Sequence, residues 1–141
     1  MNAIMAAVVA LAVLGIAGFA AASGAPAARE NRIFEMRTYT ASPGKIQALH
    51  ARFRDHTCKL FEKHGMTNVG YWQPISGDNA ENRLVYILAY PSKEAREASW
   101  KAFVGDEEWK KVKAESEKDG TPLAAKVESV FMNPTDYSPI K

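Results

Sequence analysis

The segment Arg83–Tyr90 (RLVYILAY) is apolar on both of its alternating faces, with Val85 and Ile87 on one and Leu84, Tyr86, Leu88 and Tyr90 on the other. Such a run is a strand that needs a neighbour on each edge and cover on both sides, so it must lie inside a sheet. Everything else in the chain has to supply that sheet and its cover. Ile33–Thr40 (IFEMRTYT) alternates strictly, with Phe34, Met36 and Thr38 on one face and Glu35, Arg37 and Tyr39 on the other. Asn68–Ile75 reads as a second strand ended by Pro74, and Lys126–Met132 as a last one. The polar turn Ser76-Gly77-Asp78-Asn79 is short enough to make the second strand and Arg83–Tyr90 antiparallel neighbours.

Two helical stretches separate these strands. From Lys45 to His64, Ile46, Leu49, Phe53, Leu60 and Phe61 recur at helical spacing, and Gly65 supplies a C-terminal stop. Pro43 suits the first turn of that helix. Ser92 suits an N-cap, Glu94 falls in the first turn, and Trp100 and Phe103 give that helix an apolar side. Gly105-Asp106 interrupts it, and Asp106 can cap a second piece bearing Trp109 and Val112. The order β-α-β-β-α-β defines an α+β domain of ferredoxin-like type, with both helical stretches on one face of a four-stranded sheet. The expected free face holds Glu35, Arg37 and Tyr39 on the first strand and Tyr86, Leu88 and Tyr90 on the third. So aromatic a surface suits a partner or a ligand better than water.

Charge is distributed unevenly. All 18 basic and 16 acidic residues lie from Arg29 onward, and Ala3–Ala22 is a continuous apolar run. Residues 1–27 are therefore expected to form a signal peptide, with Ala25-Pro26-Ala27 near its cleavage site, or else an uncleaved membrane anchor. Residues 28–141 form the single domain. Export to a periplasm or the exterior follows, with attachment to a membrane only through that segment. A net charge of +2, with both signs interspersed, gives no basic stripe for nucleic acid. Cys58 is the one cysteine, so no disulfide forms within the chain.

The segments Glu35-Met36-Arg37-Thr38-Tyr39-Thr40 with Pro43-Gly44-Lys45, Gly70-Tyr71-Trp72, Leu84–Tyr90 with Ser92 and Arg96, Asp106-Glu107-Glu108-Trp109, and Asn133–Pro139 together resemble the NIPSNAP family. Tyr86 and Leu88 stand where a His and a Trp are common in that family. The resemblance implies a dimeric α/β barrel, in which two ferredoxin-like units pair through their free sheet faces and enclose a pocket. It therefore implies a homodimer. The architecture serves cofactor-free monooxygenases, isomerases, haem-handling proteins and binding proteins alike.

Candidate site residues follow from side-chain chemistry. Glu35, Arg37 and Tyr39 combine a carboxylate, a guanidinium and a phenol on one strand face, the parts of an anion-binding or proton-transfer site or of an ion-paired dimer face. Tyr86 and Tyr90 belong to the same face, and Trp72 is the tryptophan placed to line a pocket. His50, His56 and His64 share the first helix, ~9 and ~12 Å apart along its axis at 1.5 Å per residue, too far apart to share a metal. Each could serve as a haem ligand or an acid–base group. No metal centre and no resident cofactor are expected, haem being the alternative. Three functions fit: a homodimeric module binding a small apolar or amphipathic molecule or a protein partner, a cofactor-free oxygenase or isomerase, and a haem handler.

Overall fold

The computed structural model describes residues 32–141, so the leader expected at residues 1–27 lies outside the described residues. Within them the order is β1 (Ile33–Ala41), α1 (Ile46–Arg52), a π-helical turn (Phe53–Thr57), α2 (Cys58–Lys63), β2 (Thr67–Trp72), β3 (Arg83–Tyr90), α3 (Lys93–Gly105), α4 (Glu107–Ser116) and β4 (Ala124–Met132). The four strands form one antiparallel sheet in the order β2-β3-β1-β4. This is the ferredoxin-like α+β arrangement, and β3 is internal as its two-sided apolarity requires. Among the described residues no helix is long and apolar enough to cross a membrane.

Local chemistry sets the boundaries. The Ser92 side chain accepts from the Ala95 amide at 3.1 Å, which opens α3. Asp106 stops α3 and starts α4, its Oδ1 accepting from the amides of Glu108 (2.8 Å) and Trp109 (3.1 Å). Gly65 closes α2 with φ +79°, a conformation costly for any residue with a Cβ. Pro43 stays in the turn before α1, which begins only at Ile46. β2 ends at Trp72, not Ile75, and its register shifts between Asn68 and Gly70. The Trp72 ring lies over Gly70, where a Cβ would come within 2.6 Å of it. That contact explains the glycine.

One expectation is overturned. The row Glu35, Arg37 and Tyr39 is not on the open face but under the helices, with Tyr86, Leu88 and Tyr90 fully buried beside it. Leu49, Phe53, Leu60, Phe61 and Phe103 pack down onto this row from the helices. The open face instead carries Met36, Thr38, Val85, Ile87 and Val130. The chain after β4 crosses one end of it, so that Phe34 and Ala89 are buried and Pro134 and Ile140 wall a cavity of about 300 Å³ against the sheet. Hydropathy favours the other choice, because Phe34, Met36 and Thr38 look more like a core row. What makes the charged row buriable is that every charge in it finds partners, as the next section describes.

Candidate functional site

β1 and its neighbours bring the site together by register. Glu35 lies opposite Leu88 and Phe131, Arg37 opposite Tyr86 and Ser129, and Tyr39 opposite Leu84 and Val127. Glu35 has no solvent exposure, and donors from four elements surround its carboxylate. Oε1 accepts from Arg37 Nη1 (2.7 Å), Arg96 Nη2 (2.8 Å) and Ser129 Oγ (2.7 Å). Oε2 accepts from Arg96 Nε (3.0 Å), the Tyr90 hydroxyl (2.9 Å) and, more weakly, Trp100 Nε1 (3.3 Å). Burial alone would raise the pKa of Glu35, but the hydrogen bonds from Arg96, Ser129 and Arg37 outweigh it and lower it from 4.5 to about 2. Burial and the Glu35 charge push the Tyr90 phenol well up, so it remains a donor.

Arg37 is the second tier. Its Nε donates to the Tyr86 hydroxyl oxygen at 2.9 Å and its Nη2 to that of Tyr39 at 3.4 Å. Its guanidinium carbon lies 4.4 Å from the Trp100 ring centroid and 5.6 Å from that of Tyr39, so the cation is wedged between two rings. Burial and the adjacent Tyr39 raise the Tyr86 pKa well above its ordinary value. Both phenol oxygens accept from Arg37, and the two hydroxyls adjoin each other.

Tyr39 and Trp100 also line a cavity of about 510 Å³ between the sheet and the helices. Its walls are aromatic, with Phe53, Phe61, Phe103 and Trp109 facing it, and Val127 closes the β4 side. Three cations, Arg52, Lys110 and Lys113, line it with the single carboxylate of Glu117. The π turn shapes one wall. Phe53 and Thr57 both face inward from it, and the Thr57 hydroxyl donates back to the Arg52 carbonyl at 3.2 Å. Arg52 is held by Ser116 (3.1 Å) and Glu117 (2.8 Å), which ties that wall to α4.

The remaining sequence candidates do not join this site. Trp72 is half exposed on the open sheet face; Trp100 and Trp109 take the lining role expected of it. The histidines do not converge. His64 Nε2 is paired with Asp106 Oδ2 at 2.7 Å, and His50 Nε2 is buried with no partner among the described residues. His56 borders an outer groove between α1 and α4. None of the three lines the large cavity, so these residues do not fit an axial haem ligand there. Cys58 is partly buried, and burial raises its thiol pKa.

Sequence reasoning missed the roles of Arg96, Trp100 and Ser129. A signal existed for two of them: Arg96, Trp100 and Phe103 fall at i, i+4 and i+7 after the Ser92 cap, one stripe on α3. Ser129 shows no such sign.

A split βαβ sheet whose helices roof an aromatic cavity defines a ferredoxin-like domain. The NIPSNAP family model matches residues 34–139, and the chain belongs to that family. A NIPSNAP family protein of unknown function from Agrobacterium tumefaciens is similar to it, with 24% identity and a TM-score of 0.66 over 81% of this chain and 97% of the other. A NIPSNAP domain protein from Burkholderia xenovorans has 24% identity and a TM-score of 0.64 over 76% of this chain and 98% of the other. A monooxygenase of Streptomyces coelicolor, solved with nanaomycin D, shares the fold at 14% identity and a TM-score of 0.54, covering 79% of this chain and 95% of its own. No curated protein matches the chain.

Proposed function

We propose that this chain is an exported NIPSNAP-family binding domain that holds a small amphipathic molecule between its sheet and helices and works as a homodimer. The observation that carries the binding reading is the cavity of about 510 Å³, apolar and aromatic on its walls with a few polar groups at its margins. That is the usual composition and size of a ligand site. Its test is a fluorescent amphipathic probe, anilinonaphthalenesulfonate. The native protein should bind it saturably at one site per chain, and Val127→Trp, which fills the β4 side, should abolish binding with the melting temperature held. Absence of saturable binding defeats the reading.

The open sheet face supports the dimer. Met36, Val85, Ile87 and Val130 form an apolar stripe that no helix among the described residues covers. β4 is an outer strand left bare on both sides, with Val127 at 46%, Val130 at 50% and Phe131 at 53% exposure. An apolar edge of this kind is an aggregation liability unless something covers it. A second copy packed sheet to sheet, ~10 Å away, would do so. Sedimentation velocity should give a dimer at micromolar concentration and a monomer for Val130→Glu; a monomeric native protein rules the dimer out. The uncharged, apolar residues 1–28 support export.

A proton-transfer reading of the same cavity keeps one observation in its favour. Tyr39 and Tyr86 adjoin each other on the shared Arg37 cation, a pair of phenols placed to relay a proton from the cavity.

A further inference from the structure

We infer that the ligand of this cavity is a planar aromatic molecule bearing an oxyanion, a carboxylate or an acidic enolate or phenolate oxygen, seated at Tyr39. The inference rests on the binding reading above and gives it a substrate class.

Two independent features carry it. The first is the direction of the hydrogen bonds at the sheet floor. Arg37 directs one N–H from each of its three nitrogens at Tyr86, Glu35 and Tyr39. Because the Tyr39 oxygen accepts from a guanidinium, the group it can still offer is its O–H. Tyr39 lines the cavity, whereas Tyr86 behind it is shut off from solvent. A ligand meeting Tyr39 therefore meets a donor backed by a cation, and the complement of a donor is an oxygen with a negative charge. A ligand that presented an ammonium there would meet the Arg37 cation behind Tyr39 and be repelled by it.

The second feature is the charge of the cavity. Arg52, Lys110 and Lys113 line it with Glu117; Lys110 is paired with Glu107 (2.5 Å), while Arg52 (2.8 Å) and Lys113 (2.6 Å) share the one Glu117 carboxylate, which leaves one positive charge in excess. The Glu35 carboxylate does not restore the balance, since Arg37 and Arg96 already share it. One positive charge in excess at the partly exposed margin, where Lys113 is 53% exposed, and another at the Arg37–Arg96–Glu35 floor favour an anion and disfavour a cation. The shape of the ligand follows from the walls. Trp100, Phe103 and Phe61 meet at centroid distances of 4.9 to 5.6 Å, a packed aromatic surface for a flat ring system.

Isothermal titration with three ligands of one ring system tests this: naphthoate, naphthalenemethanol and naphthylmethylammonium, at neutral pH and moderate salt. Naphthoate should bind at least tenfold more tightly than the neutral alcohol, and the ammonium compound most weakly. Tyr39→Phe, which keeps the ring packed edge-on against Phe53 at 5.7 Å, should remove most of that preference, weakening naphthoate far more than the alcohol. Equal binding of all three overturns the assignment of an oxyanion but leaves the binding reading standing. A preference that survives Tyr39→Phe and vanishes in Lys113→Gln overturns its placement at Tyr39. If none of the three binds, the binding reading falls and takes the ligand class with it.

Discussion

Replacing Glu35 by alanine should destabilise the domain by about 3–5 kcal/mol, the usual result of breaking a buried ion pair by removing one partner. Arg37 and Arg96 would both lose their counter-charge, and Tyr90, Trp100 and Ser129 would lose an acceptor. Urea unfolding at neutral pH checks the loss, and a cost below about 1 kcal/mol would mean that the network contributes little. The same carboxylate gives the protein an acid-sensitive stability. Its folded pKa, about 2, lies below the ordinary 4.5, so the folded state holds the proton less readily than the unfolded chain. The contribution is complete above pH 4.5, declines as the pH falls, and is gone once the pH has passed through about 2. The difference corresponds to something on the order of 3 kcal/mol. Glu35→Gln should flatten this part of the stability–pH curve. An unchanged slope in that variant would assign the acid sensitivity to other carboxylates.

Phe61→Ala should cost a similar amount, about 3–5 kcal/mol, for a different reason. Phe61 is buried at the meeting point of Phe103 (4.9 Å), Trp100 (5.5 Å), Tyr86 (6.0 Å) and Phe53 (6.2 Å). Its removal deletes apolar contacts and leaves every ionic partner in place. The variant should therefore keep the native dependence of stability on acid, which separates it from Glu35→Ala in one titration. Phe61 also lines the large cavity, so the vacated volume joins a space that already exists. Probe binding should then extend to bulkier ring systems. A loss below 1 kcal/mol with unchanged ligand selectivity would show that neighbouring rings collapse into the gap.

Much of the fold was legible, and the reason is local. Arg83–Tyr90 declared itself by two-sided apolarity, Ser92 and Asp106 by capping chemistry, and Gly65 by its need for a positive φ. The face of β1 was not legible, because local hydropathy points the wrong way there. Glu35 is buried through donors at positions 90, 96, 100 and 129, and no window along the sequence contains them all. The candidate list was better than its placement. Glu35, Arg37, Tyr39, Tyr86 and Tyr90 are contiguous, but as a floor under helices and not as an outer surface. The π turn left no trace in the residues, since one extra residue in a helical run alters the pattern less than ordinary variation does.

The position of β1 has a consequence for the order in which the molecule can be completed. It is the first strand of the domain to be made, yet it lies inside the sheet with β3 on one edge and β4, the last strand, on the other. A growing chain that has reached Tyr90 can form half of the β1 ladder. It still lacks Ser129 and every partner on the second edge until almost the whole domain has been synthesised. Until then β1 offers a bare edge and an incompletely satisfied carboxylate, so the emerging chain cannot lock early. The last strand to become available is the one that closes the fold.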